Sequence, residues 1–163
     1  MSSVPQHSIS VGDEDLPTAL RDHNQQVPPQ FVPELQDVEQ SILAAESILE
    51  TPIDPEDGQS PMYARETLDR AIDFLRRTAT HAWASYRARA RAPRIAPGPD
   101  GSIDILWKTG ARELLVNIPV AAEDLVSYYG NDRVQPDTSI RNSVEGVLEL
   151  EARNDWLLLW MTQ

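Results

Sequence analysis

The sequence predicts an α+β protein in which two helices pack on one face of a mostly antiparallel β-sheet, behind a disordered N-terminal arm. Apolar residues recur at helical spacing over residues 34–50 and 61–90, and they alternate with polar residues over much of residues 94–162. Residues 1–32 are polar and show neither period. We therefore predict one folded domain over residues 33–163, because a chain of 163 residues with 40% hydrophobic content suits a single core.

The predicted arm carries acidic and proline-rich stretches, such as Asp13-Glu14-Asp15 and Pro28-Pro29. Chains of this composition bury too little apolar surface to offset the entropy lost on ordering. We expect an ordinary frayed terminus, with an arm that folds on a partner as the alternative.

The first predicted helix covers residues 34–50. Pro33 suits the start of a helix, and the acids of the first turn suit the helix dipole. The apolar stripe, widened by Leu43 and Ile48, indicates core packing, although the same spacing also fits a short coiled-coil seam. The stripe consists of Leu35, Val38, Ile42, Ala45 and Leu49.

The second predicted helix covers residues 61–90, with Ser60 as N-cap and Pro61 in the first turn. Thr78 and Thr80 are β-branched, so a break near the middle of this helix is the alternative. The apolar side consists of Ala64, Leu68, Ile72, Leu75, Ala79 and Trp83. The polar side carries opposite charges four residues apart, in the pairs Arg65–Asp69, Glu66–Arg70 and Asp73–Arg77.

A β-meander with four strands is predicted over residues 94–130. Its strands lie near residues 94–97, 102–108, 114–118 and 125–129. In the second strand Ile103, Ile105 and Trp107 alternate with polar or outward positions, which places Trp107 on the buried face.

Turn residues separate these strands. Gly98-Pro99-Asp100-Gly101 predicts a type I turn with proline in its second position. Gly110, in the link between strands two and three, can take the positive φ of a tight hairpin. Pro119 ends the third strand because it has no N–H to donate, and Gly130 is expected to end the fourth.

The C-terminal residues 147–162 allow two interpretations. Residues 147–152 alternate, and residues 156–161 are apolar throughout, which favours a hairpin with a buried last strand. A helix through Leu148, Ala152, Trp156 and Leu159 fits almost as well, because short apolar runs do not separate strand from helix.

Several of these turn and core residues resemble a set of small bacterial proteins without an assigned function. The shared features are Pro93, Ile95, the run PDGSI at 99–103, Trp107, the run SYYG at 127–130, and a preceding helix that ends in Phe74-Leu75. The resemblance covers about residues 61–131. It implies a helix that leads into a meander, and it implies no activity.

Composition and charge exclude several classes of function. The chain has no cysteine, which excludes disulfides, thiol catalysis and thiolate metal sites. His7, His23 and His81 have no carboxylates at ligand spacing, so we expect no metal site, and no motif predicts a cofactor. We find no apolar run that predicts a signal peptide or a membrane helix, so we expect a cytoplasmic protein.

The net charge of −12 is unevenly distributed along the chain. Residues 1–60 carry −11, residues 61–96 carry +5, and residues 97–163 carry −6. The simpler interpretation is that the charge keeps a small protein soluble, and the more specific interpretation is that an acidic protein binds a basic partner.

Two groups of residues are candidate sites. Arg76 and His81, with four residues between them, resemble the R-x4-H signature of HEPN ribonucleases, which implies His81 as general acid or base and Arg76 on the charge at phosphorus. The basic cluster near Trp83 and Tyr86 has the composition of a nucleic-acid contact, although cations also suit a helix C-terminus. This cluster consists of Arg87, Arg89, Arg91 and Arg94.

The function that we predict from these observations is that of a non-enzymatic bacterial interaction protein. It would be the acidic partner or inhibitor of a basic protein, as antitoxins and immunity proteins are. The alternative is RNA or DNA binding through the arginine cluster, with cleavage by Arg76 and His81 as its extreme form.

Overall fold

The computed structural model describes residues 33–133 and 141–162, so the predictions for residues 1–32 lie outside the described residues. Its α-helices are α1 (Gln36–Ala45), α2 (Arg65–Tyr86) and α3 (Asp155–Met161), with 3-10 turns at Pro33–Leu35, Glu46–Glu50 and Pro99–Gly101. Its strands are β1 (Arg94–Pro97), β2 (Ile103–Lys108), β3 (Arg112–Ile118), β4 (Val126–Arg133) and β5 (Arg141–Leu148).

The five strands form one antiparallel meander in the order β1-β2-β3-β4-β5. Helix α1 contacts β1, α2 contacts β2 and β3, and α3 contacts β3. The predicted α+β class is confirmed. The structure has three α-helices where two were predicted, and five strands where the prediction had four in the meander and two in a C-terminal hairpin.

The buried face of the sheet follows from the alternation in the sequence. Ile105 lies opposite Val116 and Trp107 lies opposite Leu114, and all four side chains are buried. Trp107 is only 3% exposed, as predicted, and its Nε1–H donates to the carbonyl of Arg91 at 3.1 Å. An antiparallel sheet with one covered face produces this alternation.

The helices bury most of the stripes that the sequence predicts, but Leu43 and Ala64 are exposed, and Ala64 lies just before the first residue of α2. Val38, Ile42 and Ile48 are buried, and the buried residues of α2 include Leu68 and Leu75. Leu43 was expected to widen the stripe of the first helix, but its side chain is 72% exposed. At one residue beyond Ile42 it is rotated by about 100° from the core-facing line, and 3.6-residue periodicity places it in solvent.

Helix α2 begins later and ends earlier than predicted. Ala64 precedes its first residue without a side-chain cap, whereas Ser60 accepts a hydrogen bond from the Asp54 N–H at 2.8 Å. Residues Ser60 and Pro61 therefore belong to the preceding loop, which a bridge between Pro52 and Met62 closes.

The other end of α2 and its middle follow local backbone geometry. Arg87 terminates the helix in the left-handed region, at φ 53°. The alternative of a break near Thr78 does not occur, since α2 is continuous from Arg65 to Tyr86, and the Thr78 hydroxyl donates to the carbonyl of Phe74 at 2.7 Å within the helix.

Tertiary partners replace two of the three predicted charge pairs on α2. Arg65 and Asp69 approach to 3.9 Å as expected. Arg70 instead donates to the carbonyls of Pro119 and Val120, at 2.7 and 2.6 Å. Arg77 bonds to Glu151 rather than to Asp73, because a fixed partner on another element competes well with a weak pair on the same exposed helix.

The turn between β1 and β2 is not the predicted type I turn. Asp100 and Gly101 both have positive φ, at 53° and 84°, and Ser102 donates its N–H to the Pro99 carbonyl at 2.9 Å. These are features of a type I′ turn with Asp-Gly at its centre, whose twist matches that of the flanking strands. Gly110, in the next turn, does not take the positive φ that we expected.

The C-terminal third differs most from the prediction. Strand β4 continues through Gly130, which lies opposite Val144 of β5. The last strand predicted for residues 156–161 is instead helix α3, and its side chains Leu157, Leu158 and Met161 are buried. An apolar run of six residues fits both states, and here packing of its buried side against α2 and β3 selects the helix.

Candidate functional site

A cleft of about 450 Å³ lies between residues 74–84 of α2 and the segment 150–158. The apolar side chains Phe74, Leu157 and Leu158 line it, and each is buried in the core. Its charged lining consists of Arg76, Arg77, Arg153 and Glu151, and His81 adds an imidazole. Apolar walls with a few polar groups are typical of small-molecule sites.

A chain of four polar side chains lies beside this cleft. His81 Nε2 is 2.7 Å from Asp155 Oδ1, and its Nδ1 is 3.1 Å from the Ser85 hydroxyl. Tyr86 donates its hydroxyl to the other oxygen of Asp155 at 2.8 Å. The chain therefore joins the C-terminal end of α2 to the first residue of α3.

The partners of His81 define its protons. An ionised carboxylate only accepts hydrogen bonds, so we assign the imidazole proton to Nε2, and Nδ1 accepts from Ser85. The bond from His81 is the largest cause that holds the pKa of Asp155 below its ordinary value, and the bond from Tyr86 adds to it. The same hydrogen bond with Asp155 raises the pKa of Tyr86.

The hydroxyl, imidazole and carboxylate occur in the order that activates a serine nucleophile. Ser85 and Asp155, however, are not among the residues that line the cleft, whereas His81 is. A catalytic triad also engages both nitrogens of its histidine, so the feature that separates this arrangement from such a site is the position of Ser85 and Asp155 outside the cleft lining. These hydrogen-bonded side chains connect α2 to α3, and we call this connection the tie.

Arg76 and His81 line the same cleft, but their side-chain hydrogen bonds go to different partners. Arg76 forms a bidentate pair with Glu39 of α1, at 2.8 and 2.7 Å. That bond is the largest cause that lowers the pKa of Glu39. The cleavage chemistry that the R-x4-H spacing implies would require a nitrogen of His81 to leave Asp155 or Ser85, whereas Arg76 would act through the N–H groups that Glu39 does not use.

The far wall of the cleft is fixed by Arg77. Its guanidinium bonds to the carboxylate of Glu151 and to the carbonyl of Leu150, the latter at 2.9 Å. This double contact holds segment 150–154 against α2. Nothing in the sequence predicts it, because the partners lie more than seventy residues apart.

The four arginines of the predicted basic cluster have exposed side chains on a fixed backbone. Arg87 lies over the ring of Trp83 at 5.6 Å, and within residues 33–133 and 141–162 none of the four forms a salt bridge. The backbone of Arg91 donates to the Met161 carbonyl at 2.9 Å and accepts from Trp107. The cluster consists of Arg87, Arg89, Arg91 and Arg94, all exposed.

The sequence from residue 33 to 60 carries eight carboxylates and no base. Two of these carboxylates, Glu39 and Glu46, form salt bridges with arginines of α2. The other six form none within the part of the chain that the structure describes: Glu34, Asp37, Glu50, Asp54, Glu56 and Asp57. Three of them lie on one loop, residues 51–62, which we call the acidic loop.

The acidic loop has a defined conformation. Asp54 and Asp57 each accept a backbone N–H two residues ahead, at 2.9 and 3.0 Å. Ile53 donates to the Pro61 carbonyl at 2.9 Å, which closes the loop at its base. Met62, on the returning limb, is 55% exposed.

Among the residues described, no group of three or more His, Asp or Glu side chains could hold a metal ion. No helix in the same ranges is both long enough and apolar enough to cross a bilayer.

Comparison with protein-family models, with curated proteins and with solved structures found no match. The resemblance of residues 61–131 to small bacterial proteins therefore stays a prediction.

Ser85 and Asp155 were not predicted from the sequence as partners of His81. Ser85 could have been found, because a residue four positions after a histidine lies on the same helix face. Asp155 could not, since only the fold brings it to a residue that precedes it by 74 positions.

Proposed function

We propose that this protein is a non-enzymatic interaction protein that binds a basic protein through its acidic loop, in the manner of an antitoxin or an immunity protein. The observation that carries the proposal is the set of six carboxylates between residues 34 and 57 that have no salt bridge within residues 33–133 and 141–162. On a surface that already satisfies Glu39 and Glu46, these charges are available to a partner.

The conformation of the acidic loop supports this proposal. Hydrogen bonds from its own backbone fix Asp54 and Asp57, and the Pro52–Met62 bridge fixes its base. A loop that is ordered before binding loses less conformational entropy when the partner arrives.

The exposed side chain of Met62 supports it further. Protein interfaces have an apolar centre, where methionine is enriched, surrounded by a polar rim. Met62, which pairs with Pro52 at the base of the loop, supplies an exposed apolar side chain for such a centre, and its flexible thioether adapts to irregular surfaces.

The test begins with capture of binding proteins from a host lysate, followed by surface plasmon resonance on the purified partner. The triple variant Asp54→Asn, Glu56→Gln and Asp57→Asn should slow association by about tenfold and weaken its salt dependence, because rim charges mostly steer the encounter. Met62→Ala should instead speed dissociation, because it removes an apolar contact of the bound state.

A matched control separates the loop from the total charge. The variant Glu123→Gln, Asp124→Asn and Glu149→Gln changes the net charge by the same amount at exposed sites outside the loop. It should bind like the parent. Equal loss in both triple variants, or a partner that is itself acidic, would refute the proposal.

A second function is favoured by one specific observation. Arg87, Arg89, Arg91 and Arg94 are exposed and unbridged in the described part, and Trp83 and the 55% exposed Tyr86 lie close in sequence. Guanidinium groups with neighbouring aromatic rings hold the backbone and the bases of single strands. This surface supports RNA or DNA binding as the alternative.

Fluorescence anisotropy of a labelled single-stranded RNA tests this alternative. If the cluster binds phosphates, Arg91→Gln should reduce the slope of log K against log salt by about 0.7, the value for one released counterion. Arg65→Gln, whose arginine is paired with Glu46, is the control and should leave the slope unchanged. RNA that is cleaved by the parent but not by His81→Ala would establish the ribonuclease hypothesis instead.

The location belongs to the same proposal. We place the protein in the bacterial cytoplasm, where antitoxin-like proteins meet their partners. Fractionation of the host, with immunodetection of the protein in the cytosolic and membrane fractions, tests this placement.

A further inference from the structure

We propose that the cleft between α2 and the segment 150–158 binds a small organic anion that has a hydrocarbon body, such as a medium-chain carboxylate. This site is separate from the acidic loop, and the inference does not depend on the proposed function. Its volume of about 450 Å³ lies inside the range of small-molecule pockets, which is roughly 300–1,000 Å³.

The walls of the cleft fit the hydrocarbon part of such a ligand. Phe74 is on α2 and Leu157 and Leu158 are on α3, so the two helices share one apolar floor that is continuous with the core. Side chains embedded in a packed core keep their positions, so a ligand that enters does not have to order them.

The charged lining of the cleft fits an anionic head group. Three arginines and one glutamate line it, and because Arg76 is paired with Glu39 and Arg77 with Glu151, the charge without a salt bridge among the described residues is that of Arg153. Arg153 forms no salt bridge or hydrogen bond among the described residues, and its charge lowers the pKa of the neighbouring Asp155. Its guanidinium is therefore the first candidate for the carboxylate.

The two other arginines are already positioned and still have donors. Arg76 gives only Nε and Nη2 to Glu39, and Arg77 gives Nη1 and Nη2 to Glu151 and Leu150. A guanidinium has five N–H groups, so each keeps donors for a second acceptor. Bidentate pairing of guanidinium with carboxylate gives both orientation and energy.

Isothermal titration calorimetry of the full chain tests this inference with sodium octanoate as the probe. We expect one saturable site, and at least tenfold weaker binding of octylammonium, which has the same hydrocarbon body and the opposite charge. The absence of saturable binding of octanoate, or equal binding of octylammonium, would overturn the inference.

Two variants locate the binding. Arg153→Gln should weaken octanoate binding about tenfold, the size expected for loss of one charged hydrogen bond, whereas Arg91→Gln, which removes an exposed arginine outside the cleft, should have no effect. Ala84→Met should fill the mouth of the cleft from an exposed helix position and abolish binding. Binding that survives Ala84→Met, or that Arg91→Gln weakens as much as Arg153→Gln does, would show that octanoate binds elsewhere.

Discussion

Trp107 connects the sheet to the segment that follows α2. It is buried opposite Leu114, and its indole N–H donates to the Arg91 carbonyl. Trp107→Ala should lower the free energy of unfolding by about 3–5 kcal/mol, through lost burial and the cavity that remains. Denaturant unfolding followed by circular dichroism measures this change.

Trp107→Phe separates the two contributions. Phenylalanine keeps an aromatic ring in the core, so Trp107→Phe should destabilise the protein less than Trp107→Ala does. It still leaves the Arg91 carbonyl without its donor, which should cost on the order of 1–3 kcal/mol. An alanine variant as stable as the parent would contradict the burial of this side chain.

Two glycines of the meander differ in what they require of the backbone. Gly101 has φ of 84°, and a Cβ at this position would lie 2.9 Å from the side chain of Ile53. Gly110 has no atom within 4 Å of such a Cβ and no positive φ. Gly101→Ala should therefore destabilise the protein by about 1–3 kcal/mol.

Gly110→Ala is the matched control for this prediction. It should be neutral or stabilising by up to about 1 kcal/mol, because alanine reduces the freedom of the unfolded chain. Thermal unfolding of both variants provides the comparison, and equal loss in the two would show that the turn geometry is not the cause.

At the scale of elements, the tie between α2 and α3 makes the C-terminal helix sensitive to acid. The hydrogen bond from His81 keeps the folded pKa of Asp155 below the unfolded value of about 3.9. A carboxyl with a depressed folded pKa stabilises the fold above its unfolded pKa and loses that contribution as pH falls through the folded pKa. The stability of the parent should therefore fall below about pH 4.

Asp155→Asn tests the origin of this acid sensitivity. It should be less stable than the parent at neutral pH, and its stability should change less between about pH 5 and pH 3. Some change remains, because the pKa of Glu39 is also lowered by its bond to Arg76. Unfolding by urea at each pH measures both effects, and Asp124→Asn, at an exposed carboxyl outside the tie, should behave like the parent. Identical pH profiles for Asp155→Asn and the parent would refute the role of the tie.

Elements whose period is fixed by one buried face could be predicted from the sequence. The alternation around Ile105 and Trp107 predicted strand β2 and its buried face, because a slip of one residue would expose every apolar side chain. Residues 156–161 are apolar throughout, so their sequence contains no alternation that would distinguish a strand from a helix. Their helix depends on the partner surfaces that bury Leu157 and Met161, which the local sequence does not reveal.

The candidate site was predictable only where it lies on one helix. Arg76 and His81 were identified because both belong to α2, yet the partners that decide their chemistry, Glu39 and Asp155, come from other elements. Contacts over such separations depend on the packing of α1 and α3 on α2. The spacing of charged residues therefore predicted which side chains are candidates for a site, but it did not predict their hydrogen-bond partners.

At the scale of the whole molecule, charge is separated rather than balanced. Residues 61–96 carry the net positive charge, and three of their arginines form salt bridges with glutamates outside this range. These arginines are Arg65, Arg76 and Arg77. The other arginines of this range are Arg70, which donates to backbone carbonyls, and the four of the basic cluster from Arg87 to Arg94. The acids without a salt bridge in the described part of the chain include those of the acidic loop. Surfaces of opposite charge on one molecule mainly affect which partner binds and how fast it associates, and they contribute less to the stability of the fold.

This separation predicts how stability depends on salt. A net charge of −12 destabilises the compact state by self-repulsion, which added salt screens. The exposed salt bridges weaken under the same screening, but such pairs contribute only about 0–1 kcal/mol each. The thermal midpoint at pH 7 should therefore rise when sodium chloride increases from low to physiological concentration, as differential scanning calorimetry can measure.

The variant Asp54→Asn, Glu56→Gln and Asp57→Asn has a net charge of −9, which is −12 with three negative charges removed, and its midpoint should rise less. A midpoint that falls with salt in the parent would mean that the bridges, such as the one between Arg76 and Glu39, outweigh the repulsion among the unpaired acids.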